Sequence, residues 1–298
     1  LSRYLDTPQV RFNTPKQRLI ASAIVGIPLF IVLMQGDAGS ALVFLSFIMV
    51  FNREGLSNWF IYLGIYVVGV SLLALSIDKF LLIGAVVVLF SIILTYIYVV
   101  LPRERTVVAI IVGLMLVSIG YIVAIDSAFH SILKPHQQDR INVILGKLED
   151  KRGVGYNLEQ SKIAIGSGGL FVKVWLQGTQ TRYDFVPEMT TDFIFCSIGE
   201  EWGYIGSFVL IALYVLLLQR LISIANRQRM AYARVYIYSV ASIIFMHFFI
   251  NIGMTIGLLP VIGIPLPFIS YGGSSLLSFS VMLAIAVKLD SERLVTAL

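Results

Sequence analysis

Eight apolar runs dominate this chain, at residues 19–34, 38–51, 59–77, 80–101, 107–125, 204–218, 235–256 and 276–287. A membrane span needs about 20 mainly apolar residues, so the second and last runs must borrow flanking residues or sit tilted where the bilayer thins. Each run is read as a helix. The remaining composition agrees: of 298 residues 58% are hydrophobic and 13% charged, with mean hydropathy +0.88, far from the balance of a soluble domain. The expected fold is an all-α integral membrane protein, a polytopic helix bundle of about eight spans. The single cysteine, Cys196, excludes an intramolecular disulfide.

A net charge of +5 and a pI near 9.3 would suggest a nucleic-acid partner in a soluble chain. In a membrane chain the basic residues first report orientation, and no nucleic-acid partner is expected. If the first eighteen residues are cytoplasmic, that side collects Arg3, Arg11, Lys16, Arg18, Arg53, Arg103, Arg105, Arg220, Arg227, Arg229, Arg234, Lys288 and Arg293. The short outer loops carry only Lys79. This positive-inside pattern requires an even number of spans, which the eight runs supply. Residues 126–202 then form a long extracellular loop between the fifth and sixth spans, holding eight basic and ten acidic residues. Chemistry is expected there, within a single transmembrane domain covering residues 1–298.

Inside that loop, residues 158–165 look helical and the Gly166-Ser167-Gly168-Gly169 turn ends the piece. Pro187 and Glu188 look like the start of another helix, because proline suits a first turn; Glu188, Asp192 and Thr191 would then share a face. The stretch 185–203 sets four carboxylates, Glu188, Asp192, Glu200 and Glu201, around an apolar aromatic core at the mouth of a span. Charge so close to hydrocarbon points to function or to structural pairing. After the seventh run, residues 257–275 are apolar but hold three prolines and four glycines. They cannot make one regular helix. Such backbone is tolerated at membrane depth only where protein buries it or where it lines a wet cavity, so it reads as a re-entrant or broken wall, or as a plain hairpin.

Asp192, between Thr191 and Phe193-Ile194-Phe195, is the leading catalytic candidate, since partial burial favours a general base; a helix cap or a paired carboxylate is the alternative. Glu188 could cap, coordinate a cation or bond a sugar. Glu200 and Glu201 are adjacent and point apart, which suggests structural pairings. Arg140 and Lys162 would suit an anionic phosphate or pyrophosphate, or be solvated loop charges. Asp37 is read as the cap of the helix that follows it. His247 and Asn251, one turn apart in the seventh run, are read as bonding neighbouring helices rather than a metal. His130 and His136 are loop residues without a motif.

Four stretches resemble the SEDS family of bacterial cell-wall polymerases, to which RodA and FtsW belong: QGDAGSAL around Asp37, QSKIAIGSGGL at 160–170, PEMTTDFIF at 187–195 with its EEWG continuation, and PLPFISYGGSS at 265–275. The GTQ at 178–180 and the HQQDRI around Arg140 look closer to the RodA branch. The resemblance implies a multi-pass protein of the bacterial cytoplasmic membrane with its active site facing the periplasm or cell exterior. It implies a glycosyltransferase that polymerises lipid II and releases undecaprenyl pyrophosphate, working with a class B penicillin-binding protein and the elongation machinery to set cell shape. Asp192 matches the family's essential aspartate. The substrate-binding candidates are Arg140, Lys162, Gln180, Glu188, Thr191 and Ser270, and a divalent cation, Mg or Mn, is a candidate cofactor.

The family also carries a paired Glu and Lys in a helix upstream of Leu1, so an N-terminally truncated fragment is expected. Other departures are Gly36 and Ala38 beside Asp37, Val172 and Val174 in place of glycines, and Met189-Thr190 in place of a pair ending in His. One carboxylate suffices for this chemistry, because a sugar pyrophosphate already has a good leaving group whose charge needs only Arg140, Lys162 or a divalent ion. Three rival readings remain: a flippase for lipid-linked sugars, a septal polymerase of the FtsW type, and a catalytically silent scaffold.

Overall fold

The structure, a computed structural model, describes residues 1–7, 14–100, 105–131, 135–145, 147, 154–170, 185–186 and 188–293. In chain order its helices are α1 (Ser2–Leu5), α2 (Pro15–Met34), α3 (Ala38–Phe44), α4 (Phe47–Arg53), α5 (Trp59–Ser76) and α6 (Lys79–Val100). They continue with α7 (Arg105–Ser131), α8 (Pro135–Ile144), α9 (Val154–Ser167), α10 (Ile194–Asn226), α11 (Ala231–Thr255) and α12 (Gly273–Glu292). Among the described residues there is no strand. The chain divides into two compact units, residues 1–58 with 150–298, and residues 59–149.

Seven helices, α2, α5, α6, α7, α10, α11 and α12, are long and apolar enough to cross a membrane. The expected eighth span is not one of them. Residues 38–51 form two seven-residue helices, α3 and α4, joined by tighter turns in which Leu45 N–H donates to the Leu42 carbonyl and Ser46 N–H to that of Val43. Together Gly39–Arg53 is 15 residues, about 22 Å, shorter than a hydrocarbon core of about 30 Å.

In the larger unit α11 is central: 50% of its most apolar stretch is buried, against 6–22% in the other spans. The core joins α10, α11 and α12 through Tyr214, Leu218, Leu221, Ile237, Ile244 and Phe279, with Leu266 from the segment between α11 and α12. A second cluster sets Leu5 of α1, Ala21 and Val25 of α2, and Val50 and Phe51 of α4 around Val235 of α11. At this end Arg234 of α11 pairs with Glu54 at 2.9 Å, and Asp6 accepts the Tyr232 N–H at 2.9 Å. Arg227 and Gln228 both donate to Asp290 of α12.

The second unit holds α5 to α8. Tyr66 donates to Ser118 at 2.7 Å and Ser71 bonds Tyr121 at 2.8 Å, polar cross-links of the kind that join helices in lipid. The helix α7 runs six residues beyond the apolar run, so Asp126 lies on it and pairs with Lys79 at 3.0 Å. His130 and His136, expected in loops, fall in α7 and α8.

Glycine decides how α9 meets α10. A Cβ on Gly168 would lie 2.0 Å from the Gly199 carbonyl oxygen and 3.1 Å from Gly203 Cα, so α9 closes directly on backbone. Within α10, Gly203 takes φ 63°, ψ −159°, a conformation open essentially to glycine alone. The ladder breaks there, and the Tyr204 N–H donates to the Gly169 carbonyl at 3.0 Å instead. The Gly-Ser-Gly-Gly stretch therefore ends α9 and also caps the upper part of a broken α10. Gly168→Ala should force these helices apart at a cost of about 1–3 kcal/mol, as overpacking does. Thermal unfolding in detergent measures it, with a lowered melting temperature expected.

Candidate active site

Residues 188–193 form a run of turns ahead of α10. The expected helix start at Pro187–Glu188 is not observed: Glu188 has φ 59°, the left-handed region that non-glycine residues rarely adopt, and α10 begins at Ile194. The Glu188 carbonyl accepts the N–H groups of Thr191 at 3.2 Å, Asp192 at 3.1 Å and Phe193 at 3.2 Å. Its side chain accepts the Thr191 hydroxyl at 2.9 Å. Val186, Met189, Phe193 and Phe195 are buried and anchor the turn from below, leaving Asp192 partly buried and Glu188 exposed.

The opposing wall is the proline- and glycine-rich segment 257–272, which is non-helical as expected. It starts where α11 ends in a Schellman cap: Leu258 N–H reaches the Gly253 carbonyl at 2.7 Å and Gly257 N–H that of Met254 at 3.2 Å, with Gly257 at φ 80°. Three contacts stitch this segment to the turn. Ser270 donates its hydroxyl to the Thr191 carbonyl at 2.6 Å while accepting the Leu266 N–H at 2.7 Å. Tyr271 N–H donates to the Thr190 carbonyl at 2.9 Å. Asn251 of α11 donates one N–H to the Asp192 carbonyl and the other to the Ile264 carbonyl, both at 2.7 Å. Gly263, at φ 80°, lies against the Asp192 carboxylate, and a Cβ on it would sit 3.1 Å from Oδ2.

His247 and Asn251 thus bond loop carbonyls rather than neighbouring helices: His247 Nδ1 lies 3.2 Å from the Pro265 oxygen. Tyr214 of α10 donates to the Pro267 carbonyl and stacks on Phe248 at 4.7 Å. These bonds satisfy backbone groups that helix geometry has left open.

Asp37 caps α3 as expected, accepting the Ser40 N–H at 3.0 Å. The start of α3 abuts the same wall, since a Cβ on Gly39 would lie 2.9 Å from Ile262. Gly39, two residues after Asp37, and Asp192 therefore flank adjacent residues of one loop. Lys162 projects from α9 across Gly257, where a Cβ would meet its ammonium nitrogen at 2.5 Å, at the carbonyl end of α11 that favours a cation. Its neighbour Ser161 donates to the Thr255 carbonyl at 3.0 Å. Glu200 points into the protein, 1% exposed, while Glu201 is partly exposed. Arg140 lies on α8 of the other unit. Gln180, with the rest of 178–180 and with Val172 and Val174, lies outside the described residues.

A family model described as "Cell cycle protein", covering FtsW, RodA and SpoVE, matches residues 51–294. The chain belongs to this family. It is 43% identical over 180 residues to the peptidoglycan glycosyltransferase MrdB of Escherichia coli (strain K12), covering 59% of this chain and 49% of that protein. It is 37% identical over 163 residues to the peptidoglycan glycosyltransferase RodA of Treponema pallidum (strain Nichols), covering 55% and 38%. It is 39% identical over 165 residues to the probable peptidoglycan glycosyltransferase FtsW of Coxiella burnetii (strain RSA 493 / Nine Mile phase I), covering 54% and 44%. The chain spans about half the length of such relatives or less. A solved chain described under "Structural coordination of polymerization and crosslinking by a peptidoglycan synthase complex" has the same fold, with TM-score 0.64 at 20% identity over 98% of this chain and 66% of that one. A FtsW/RodA/SpoVE-family chain with these apolar helices is a multi-pass membrane protein.

Asn251 is the site residue that sequence reasoning under-weighted. Its signal was an amide in the most apolar part of a span, one turn before the backbone breaks. Among the described residues no three His, Cys, Asp or Glu side chains gather as a metal-binding group. The Ser40 hydrogen bonds hold the Asp37 carboxyl below its ordinary pKa against a weaker desolvation effect. A depressed pKa means the cap is fully present above the usual carboxylate range and is lost as pH falls through the lowered value. Asp37→Ala should destabilise the protein by about 1 kcal/mol at neutral pH and by less below pH of about 4, read from thermal melts across pH.

Proposed function

We propose that this chain is part of a peptidoglycan polymerase that transfers the glycan of lipid II to a growing strand and releases undecaprenyl pyrophosphate. The observation that carries the reading is the held carboxylate: Asp192 stands on a turn whose backbone is tied at Thr190, Thr191 and Asp192 to a loop that presses a bare glycine against it. The names of the relatives, each a peptidoglycan glycosyltransferase or a probable one, support the reaction class.

Asp192 acts as general base. It takes the proton from an acceptor sugar hydroxyl as that oxygen bonds to the donor's anomeric carbon. The bond from that carbon to pyrophosphate breaks, and the leaving group departs with the electron pair. One displacement inverts the anomeric centre. Because pyrophosphate leaves as an anion, no second carboxylic acid is needed, unlike in glycoside hydrolysis. Cations stabilise the departing charge, with Lys162, at the entrance of the loop, and Arg140 as candidates, while Gln180 is a candidate for neutral hydrogen bonding to substrate. Glu188, its carboxylate already bonded to Thr191, Thr191 and Ser270 are the remaining substrate-binding candidates beside Asp192. We place the active part, the 126–202 region, at the periplasmic or exterior face of the cytoplasmic membrane, an orientation in which α3 and α4 together make the eighth crossing where the bilayer thins. A class B penicillin-binding protein crosslinks the strands within the elongation machinery, in keeping with the synthase complex whose chain shares this fold.

The full-length protein in liposomes with purified lipid II tests this. Asp192→Asn, nearly isosteric, should lower glycan formation at least 100-fold, the scale of a lost general base, without changing the melting temperature. Undiminished polymer would overturn the assignment.

A further inference from the structure

Asn251 is fully buried in the last turns of α11, the helix that most other elements of its unit pack against. A primary amide there needs four hydrogen-bond partners, and this one has two: its NH2 group serves the carbonyls of Asp192 and Ile264, while its Oδ1 is buried without a partner among the described residues. Flipping the amide would be worse, for it would set Oδ1 against two carbonyl oxygens. The orientation is therefore fixed by the two donations, and the unmet acceptor is tolerated for their sake. A buried polar group left short of partners calls for a reason beyond packing.

The two carbonyls belong to different walls of the candidate site. Asp192 ends the turn before α10, and Ile264 follows Gly263, whose α-carbon faces the Asp192 carboxylate. One amide sets the spacing between them. We infer that Asn251 is the positioning residue for Asp192, clamping the turn and the glycine loop together so that the carboxylate is held at one place against Gly263. Ser270 cannot do this alone, because its bonds reach Thr191 and Leu266, one residue before Asp192 and two residues beyond Ile264. The inference rests on the proposed role of Asp192 as base. It assigns Asn251 no contact with substrate; its effect passes through the Asp192 backbone.

Misplacing a base without removing it slows proton transfer and leaves substrate binding intact, so the signature is a fall in kcat at constant KM. The test is lipid II polymerisation by the full-length protein in liposomes, with kcat, KM and melting temperature measured for Asn251→Leu, which keeps the shape and removes both donors. We expect kcat to fall about 10- to 100-fold, the range seen when the outer partners that orient metal ligands are lost, with KM within about 2-fold of the parent. If Asn251→Leu is not recovered folded, Asn251→Thr, smaller and with one hydroxyl donor, carries the test and should show a smaller fall in kcat at unchanged KM. A kcat equal to the parent's in the folded variant, or a loss confined to KM, overturns the inference. Asp192→Asn run alongside separates the two ideas: if it retains activity, the base assignment fails; if it is inactive while Asn251→Leu keeps full kcat, only the positioning role fails.

Discussion

Backbone that leaves helical geometry inside a membrane must find its hydrogen bonds within the protein, and the segment 257–272 is where this chain meets that demand. Its partners come from everything around it. The Ile264 carbonyl takes Asn251, the Pro267 carbonyl takes Tyr214, Leu266 N–H takes Ser270, and Tyr271 N–H takes a carbonyl of the turn before α10. Requirements that begin as a solvation problem end by fixing two irregular segments against each other. Asp192 stands on that contact, so the site's geometry follows from the same condition that makes its backbone permissible.

Much of the larger unit can be understood as support for the contact. The glycines of α9 and α10 let those helices close on backbone, and the break at Gly203 is repaired by Gly169. Lys162 and Ser161 then meet the carbonyl end of α11 at Gly257 and Thr255, where the broken segment begins. The start of α3, held by the Asp37 cap, lies against Ile262 on its far side. Three of the four stretches that carry the family resemblance thus converge on residues 257–272 by packing, and the fourth contains half of that segment.

What could be read from the chain beforehand follows from range. Apolar runs of span length, the Asp37 cap and the helical stretch 158–165 within the longer α9 are properties of a residue and its near neighbours, and they were legible. The irregularity of 257–272 was legible too, because proline and glycine break a ladder whatever surrounds them. The start of α10 was not. Pro187 and Glu188 carry a good helix-start pattern, but Glu188 is turned left-handed by three donors on its carbonyl and by walls formed from residues about 80 positions away. The division of residues 38–51 was hidden for a similar reason: its composition is uniformly apolar, and the turn at Leu45–Ser46 leaves no mark in it. Asp192 stood out in the chain by its setting and the resemblance, whereas Asn251 looked like one polar residue in a span until both its partners were visible.

The helix that carries Asn251 is also the one whose opposite end is held by Asp6 and Glu54. Twenty-five residues of continuous α11 make a rod of about 37 Å, fastened at one end by the Arg234–Glu54 ion pair and the Tyr232 N–H to Asp6 hydrogen bond and at the other to the carboxylate turn. Such a member cannot tilt or slide at one membrane face without moving the other. The two ends of α11 therefore share a single mechanical coordinate, along which the position of Asp192 is measured from the Asp6 and Glu54 contacts.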